Sequence, residues 1–173
     1  QFTFKECTIG GDDCVLITPT NSVMPIWNND NSIYRSSIWR VSDGKLISAG
    51  YRKFVNFGEQ PKFEPVDVFN TELIAVEKID GSCLICSKHN DEYIFRTRGT
   101  VDAHFLCTGN ELDNLIEKYN VKHVIDELTD EYGEVTLLFE WVTPNNVICI
   151  HYDEPDFYLT GIVLHKDYSY FLQ

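Results

Sequence analysis

Basic residues are scarce in this sequence of 173 residues, which has 14 lysines and arginines against 27 aspartates and glutamates and a formal net charge of −13. Such a charge is unfavourable for an enzyme that acts on nucleic acids, because phosphate binding draws on clustered Lys and Arg. The distribution of charge along the sequence is therefore more informative than the net charge. Acidic residues concentrate at 126–134 and 153–156. The early part of the chain instead groups five cations, namely Arg35, Arg40, Lys45, Arg52 and Lys53.

Long apolar runs and a secretory signal are also missing. No apolar run approaches the roughly 20 residues that span a bilayer, and no signal-peptide pattern accompanies the six cysteines. We therefore expect a cytoplasmic protein with reduced thiols and no membrane partner. Cys83 and Cys86 form a CxxC pair, but no second pair follows at the spacing of a zinc ribbon. In a strand these two side chains point to opposite faces, which favours core packing over metal binding.

The composition, with 43% hydrophobic and 13% aromatic residues, is sufficient for one sizeable core. Two hairpin turns are predicted at Asp43-Gly44 and at the tetrapeptide 89–92. One helix is predicted from Asn110, with apolar residues at helical spacing to Tyr119, and its continuation through "VKHVIDEL" stays open. The expected strands are "CVLITP", "SIYRSSIWRVSDGKLISAGYRKFVNFGE", "VFNTELIAVEK", "CLICSK", "YIFRTRG", "EVTLLFEWV", "NVICIHY" and "FYLTGIVLH". The sequence therefore predicts one α+β domain over residues 1–173, built on antiparallel sheet.

The segment "EKIDGS", residues 77–82, raises a chemical question. Lysine is costly to bury, so Lys78 beside apolar runs has either a solvent-facing position or a chemical role. Gly81 removes a side chain where another backbone or a ligand approaches closely, and Asp80 projects to the same face as Lys78 if a strand continues that far. An amine that is partly desolvated beside cations has a lowered pKa and is a nucleophile. From so short a pattern, an ordinary surface lysine is the more common outcome.

Four segments together resemble one family. "EKIDGS" is similar to motif I, Lys-x-Asp-Gly, of the covalent nucleotidyltransferases, which comprise DNA ligases, RNA ligases and mRNA capping enzymes. "YRSSIWRVSDGKLISAGYRKFVNFGE" resembles the arginine and the Lys-Phe-x-Asn-x-Gly-Glu element that precede motif I in RNA ligase 1 enzymes of the phage type. "FRTRG" resembles the basic strand after motif I, and "FEWVTPNNVICIHY" resembles motif III. The matches fall in the family's order, between about Tyr34 and His165.

The resemblance implies an ATP-dependent RNA ligase with an antiparallel-sheet, ATP-grasp-like adenylation fold that has few helices. Lys78 would attack the α-phosphate of ATP to give lysyl-AMP, and the adenylate would then activate an RNA 5′-phosphate for sealing by a 3′-hydroxyl. RNA repair is the expected setting. The implied nucleotide contacts are Arg35, Lys53, Glu77, Asp80, Gly81, Arg96, Arg98 and Glu140. Asp80 and Glu140 would also hold Mg²⁺ or Mn²⁺ through water.

Without the resemblance, these residues have ordinary interpretations. Glu140 could alternate outward on a half-buried strand, Arg96 and Arg98 could form a solvated strand face, and Lys53 could be a surface lysine. Among enzymes, a capping-type guanylyltransferase or a DNA ligase is the alternative. A non-catalytic nucleotide- or RNA-binding module is the alternative from another class. The oligomeric state cannot be read from the sequence, and a monomer is favoured.

Two motifs of the resembled family are missing from this sequence. Motif IV contains a Glu-Gly pair and motif V contains Lys-x-Lys, and no Lys-x-Lys occurs anywhere in the 173 residues. In the family these motifs contact the metal and the α-phosphate. We therefore expect the chain to be part of a longer ligase, and residues 1–173 alone to adenylylate themselves weakly or not at all. A diverged module without turnover is the competing explanation.

Overall fold

The computed structural model describes residues 1–22, 25–56, 70, 72, 74–107 and 109–172. Within these residues two antiparallel sheets and two α-helices form, which confirms the predicted α+β class. The first sheet contains, in spatial order, β1 (Phe2–Ile9), β2 (Asp12–Pro19), β3 (Ser37–Arg40) and β4 (Leu46–Ala49). The second sheet is formed by β5 (Ser82–His89), β6 (Glu92–Arg96), β7 (Val135–Val142), β8 (Asp156–Leu164) and β9 (Tyr170–Leu172), in the spatial order β6-β5-β7-β8-β9. The helices are α1 (Glu111–Lys118) and α2 (Val121–Tyr132).

The hairpins follow from residues that tolerate a left-handed backbone. Gly44 has φ +70° in the predicted Asp43-Gly44 turn between β3 and β4. Asn90 has φ 52° in the loop between β5 and β6, where His89 pairs with Glu92 and leaves a loop of two residues. Glycine and asparagine reach this region at little steric cost. Both predicted hairpins are therefore confirmed.

The two helices pack on one face of the second sheet. The predicted apolar face of α1 is buried through Leu112, Leu115 and Ile116. Asn120 then adopts a left-handed conformation with φ 51° and interrupts the helical backbone, so that α2 begins at Val121 as a separate helix. Asparagine is one of the few side chains that reach this conformation readily. The open segment "VKHVIDEL" is thus helical.

The other face of the second sheet packs against the first sheet. Leu46 and Ala49 of β4 contact an apolar cluster that includes Ile85 and Leu138. The Ala49 N–H donates a hydrogen bond of 3.2 Å to Thr136 Oγ1, which joins β4 to β7. Cys86 packs in the cluster under the helices, whereas Cys83 packs on the side of the first sheet, so the opposite orientation predicted for this pair is confirmed. All six cysteines carry free thiols.

Several segments differ from their predictions. Strands β1 and β9 were not predicted, and residues 32–35 form a 3-10 turn instead of part of a strand. The predicted strand "NVICIHY" is irregular, because the amides of Cys149 and Ile150 bind a side chain instead of a neighbouring strand. "VFNTELIAVEK" lies partly outside the described residues, and its part from 74 to 78 forms no strand. The end of the Lys-Phe-x-Asn-x-Gly-Glu element, residues 57–59, also lies outside them. In the described part of the chain, neither helix is long and apolar enough to cross a bilayer.

Candidate active site

Lys78 lies in the irregular segment that leads into β5, and its side chain is 82% exposed. Its Nζ donates a hydrogen bond of 3.2 Å to Asp80 Oδ1, and this bond to the carboxylate raises the pKa of the Lys78 amine. The expected partly desolvated lysine with a lowered pKa is therefore wrong. The physical reason is that β5 begins only at Ser82. Lys78 therefore lies outside the sheet, where a carboxylate contacts its amine and no apolar core buries it.

Asp80 is buried, with an exposed fraction of 7%, and connects two segments. Its Oδ2 accepts hydrogen bonds from the N–H groups of Cys149 at 2.6 Å and Ile150 at 3.0 Å. These two hydrogen bonds from backbone amides lower the pKa of the Asp80 carboxyl group. The Asp80 N–H in turn donates to the Tyr152 hydroxyl at 3.1 Å. Asp80 thus fastens the lysine segment to the loop after β7, and only Oδ1 faces the amine.

Gly81 and Glu140 dock the same segment on β7. The Gly81 N–H donates a hydrogen bond of 2.9 Å to Glu140 Oε1. A Cβ on Gly81 would lie 2.3 Å from the Trp141 carbonyl oxygen, a distance that no side chain tolerates. The close approach expected of this glycine is therefore made by a backbone. Burial raises the pKa of Glu140, while the Gly81 amide and the charge of Lys78 act in the opposite direction.

Three predicted cations line a single cavity of about 710 Å³, namely Arg35, Lys53 and Arg98. Burial and the neighbouring Arg98 lower the pKa of Arg35, whose guanidinium lies 5.0 Å from the centre of the Phe54 ring. Within the described residues, no carboxylate lies within ion-pair distance of these three cations. Such a cluster of cations without counterions, in a protein of net negative charge, is suited to bind a polyanion.

Cys83 lies near Glu140 of β7 and near Arg35 of the cationic cavity. It lies directly opposite Glu140 in the pairing of β5 with β7, on the side of the first sheet. Burial and the charge of Glu140 raise the pKa of the Cys83 thiol to about 11, against the opposing effect of Arg35 and Arg96. Both charged groups therefore lie near this thiol, one toward the cavity and the other beside Gly81. The side of β5 and β7 that faces the first sheet therefore carries Cys83 and Glu140, with Arg35 of the cavity close by.

Two predicted contacts are placed differently from the rest. Arg96 is fully buried and does not line the cavity, since its guanidinium donates to Ser48 Oγ at 2.9 Å and to Ser36 Oγ at 2.6 Å. The prediction that Arg96 shares a strand face with Arg98 is wrong, because β6 ends at Arg96 and Arg98 lies exposed in the turn that follows. Glu77 is exposed beside Lys78.

Residues that sequence reasoning missed form the other wall of the cavity. They include Thr3, Thr18, Asn21 and Trp27 from the β1–β2 hairpin and the loop after it. Thr3 and Thr18 pair directly, on the hairpin face that also carries buried Leu16. The alternation of "CVLITP" places Leu16 and Thr18 on one face, but only the fold shows that this face extends into the cavity.

Comparison with known proteins identifies the family. The model of a family described as RNA ligase matches residues 33–172. The chain belongs to the RNA ligase family. It is 27% identical over 133 residues to RNA ligase 1 of bacteriophage TS2126, an alignment that covers 74% of this chain and 33% of that protein. It is 26% identical over 162 residues to the RNA ligase of Rhodothermus phage RM378, covering 74% of this chain and 36% of that protein.

The chain thus spans about a third of the length of these two relatives. The RNA ligase match includes Lys78, Asp80, Glu140 and the three cations of the cavity. It leaves out the β1–β2 hairpin, whose threonines complete the cavity wall. The resemblance read from the sequence is therefore confirmed at the level of the family.

Proposed function

We propose that this chain is the adenylyltransferase region of an ATP-dependent RNA ligase that joins RNA ends through a lysyl-AMP intermediate. The observation that carries the proposal is that a member of the RNA ligase family has Lys78 paired with Asp80 and a cavity lined by Arg35, Lys53 and Arg98, which have no carboxylate partner within the described residues. This arrangement fits a nucleoside triphosphate, with its α-phosphate near the lysine and its outer phosphates among the cations.

In the proposed first step, the Lys78 amine loses its proton and its Nζ forms a bond to the α-phosphorus of ATP. The bond from the α-phosphorus to the bridging oxygen breaks, and pyrophosphate leaves among the cations. Phosphoryl transfer gains mainly from positioning and charge neutralisation, which the cavity residues would supply. Glu77, exposed beside the lysine, is the proposed contact to the base. Arg96 is too buried for direct contact.

The carboxylates of Asp80 and Glu140 fit a divalent cation held partly through water, as Mg²⁺ usually is. No group of three or more metal-ligating side chains occurs in the described residues, so a full protein cage is absent there. Mg²⁺ or Mn²⁺ bound in this way would neutralise phosphate charge. The hydrogen bond that Lys78 donates to Asp80 Oδ1 raises the pKa of the Lys78 amine. The adenylate would next pass to an RNA 5′-phosphate, and a 3′-hydroxyl would displace AMP, as RNA repair requires.

The test uses the protein at its natural full length, incubated with Mg²⁺ and with ATP or GTP labelled at the α-phosphate. Covalent label from ATP, released as AMP on addition of 5′-phosphorylated RNA and accompanied by joined product, is expected. Label from GTP alone would indicate a capping-type guanylyltransferase. Tight nucleotide binding without covalent label would indicate a non-catalytic binding module and contradict the proposal.

A further inference from the structure

Arg96 is a buried arginine that the proposed chemistry does not use directly. Its side chain is fully buried, and its guanidinium makes five hydrogen bonds to the hydroxyl and carbonyl oxygens of Ser36 and Ser48 and to the Thr97 carbonyl. None of these partners is charged. Burying a guanidinium without a carboxylate costs stability, because neutral acceptors replace its hydration only in part. An apolar residue of similar size would fill this position at lower cost.

The partners of Arg96 lie directly behind the cationic cavity. Ser36 follows Arg35 in the chain, and its hydroxyl donates a hydrogen bond of 2.9 Å to the Arg98 carbonyl. The same hydroxyl oxygen accepts a hydrogen bond of 2.6 Å from Arg96 Nη1. A serine has one hydroxyl proton, so the bond from Arg96 orients this proton toward Arg98. The backbone of both cavity arginines is thereby joined through one side chain.

Two arginines that face one cavity repel each other, and the proximity of Arg98 indeed lowers the pKa of Arg35. No carboxylate of the described residues pairs with either guanidinium, and a fixed backbone at each arginine keeps both at the cavity despite this repulsion. The Ser36 hydroxyl holds the Arg98 backbone next to that of Arg35, and the hydrogen bond from Arg96 keeps this hydroxyl in place.

We propose that Arg96 is a positioning residue of the phosphate site, which acts through Ser36 to hold Arg35 and Arg98 side by side for a polyphosphate. This inference rests on the proposed function for the identity of the ligand. It gives the buried guanidinium a role beyond joining β6 to the first sheet.

The experiment measures binding of inorganic pyrophosphate by calorimetry, and KM and kcat for ATP in self-adenylylation, on the full-length protein. The variants are Arg96→Met, Arg96→Lys and Ser36→Ala, with Arg40→Met as control. Arg40 pairs with Asp12 and Asp43 on the same sheet, away from the cavity. We expect Arg96→Met and Ser36→Ala each to weaken pyrophosphate binding about tenfold and to raise KM by a similar factor, as loss of one charge-assisted hydrogen bond would.

The double variant is expected to be little worse than either single variant, because both changes interrupt the same connection. Arg96→Lys keeps the positive charge but loses the hydrogen bonds to one of the two serines. We expect its pyrophosphate binding to lie between that of Arg96→Met and that of wild type. Arg40→Met should lower the melting temperature and leave pyrophosphate binding unchanged. Ser36→Ala tests the inference even if Arg96→Met fails to fold.

The inference is overturned if Arg96→Met and Ser36→Ala lower the melting temperature as Arg40→Met does and leave pyrophosphate binding unchanged. It is also overturned if the effects of the two substitutions add fully. A wild-type protein that binds pyrophosphate but forms no adduct with ATP contradicts the proposed function alone. The weaker pyrophosphate binding of the variants would then still support the inference.

Discussion

At the scale of single residues, Gly81 leaves the least space for a side chain among the described glycines. The Trp141 carbonyl would lie 2.3 Å from a Cβ at this position, and backbone on both sides prevents relaxation. We expect Gly81→Ala to lower the free energy of unfolding by about 2 kcal/mol or more, as overpacking at a rigid contact does. Denaturant unfolding with an unchanged m-value measures this effect.

Gly99→Ala is the matched control, because nothing lies within 4 Å of a Cβ there and its backbone has no positive φ. We expect that change to alter the free energy of unfolding by less than about 0.5 kcal/mol. Equal effects of the two substitutions would contradict the close approach of Gly81 to β7.

Residue patterns identified candidate site residues but not their surroundings. Motif spacing pointed to Lys78 and to the three cations that share the cavity. It could not show that Arg96 turns inward, because two strand residues of the same type look alike until the neighbouring sheet is placed. Nor could it show that Asp80 binds the amides of a loop about 70 residues away, since no local signal marks such a contact.

At the scale of elements, the interface between the two sheets contains a buried histidine. His165 follows β8, and its Nε2 lies 2.7 Å from Thr136 Oγ1. The same oxygen accepts a hydrogen bond from the Ala49 N–H. Burial lowers the pKa of His165 from the ordinary 6.5 to about 4, while nearby Glu134 raises it and Lys45 lowers it. Because the unfolded chain takes up the proton first, stability is fully present above pH 6.5 and falls as pH decreases toward 4.

We therefore expect acid to destabilise the interface through His165, by about 3 kcal/mol between pH 6.5 and 4. Denaturant unfolding over this range should show that His165→Gln loses less stability than wild type by about that amount. His123→Gln removes an exposed histidine paired with Glu127 and serves as control. Parallel stability curves for wild type and His165→Gln would refute the neutral buried state.

Elements with strong local signals were predictable from the sequence, and those that depend on distant partners were not. The apolar spacing of α1 and the turn residues at 43–44 and 90–91 correspond to the observed helix and hairpins. The apolar segment 146–152 resembles a strand but has its amides bound by Asp80, and β9 forms only by pairing with β8. Tertiary hydrogen bonds therefore decided these two segments.

At the scale of the whole molecule, the net charge of −13 coexists with a local cationic site. Among the described residues outside the cavity, five basic side chains are paired with carboxylates, as Arg40 is with Asp12 and Lys88 is with Asp126. Arg35, Lys53 and Arg98 have no such partner in the described residues, so positive potential is concentrated between the sheets. Under the proposed function, the acidic surface would direct a polyanion toward this cavity rather than to the rest of the molecule.

The proposed function requires that Lys78 becomes covalently linked to AMP. Mapping the site of the adduct tests this requirement most directly. The full-length protein is incubated with Mg²⁺ and α-labelled ATP, and its peptides are analysed by mass spectrometry, alongside Lys78→Ala and the control Lys88→Ala. We predict one AMP, bound as an acid-labile phosphoramidate, on the peptide that contains Lys78, with no label in Lys78→Ala and full label in Lys88→Ala. Label retained by a folded Lys78→Ala protein, or located on another lysine, would contradict the account.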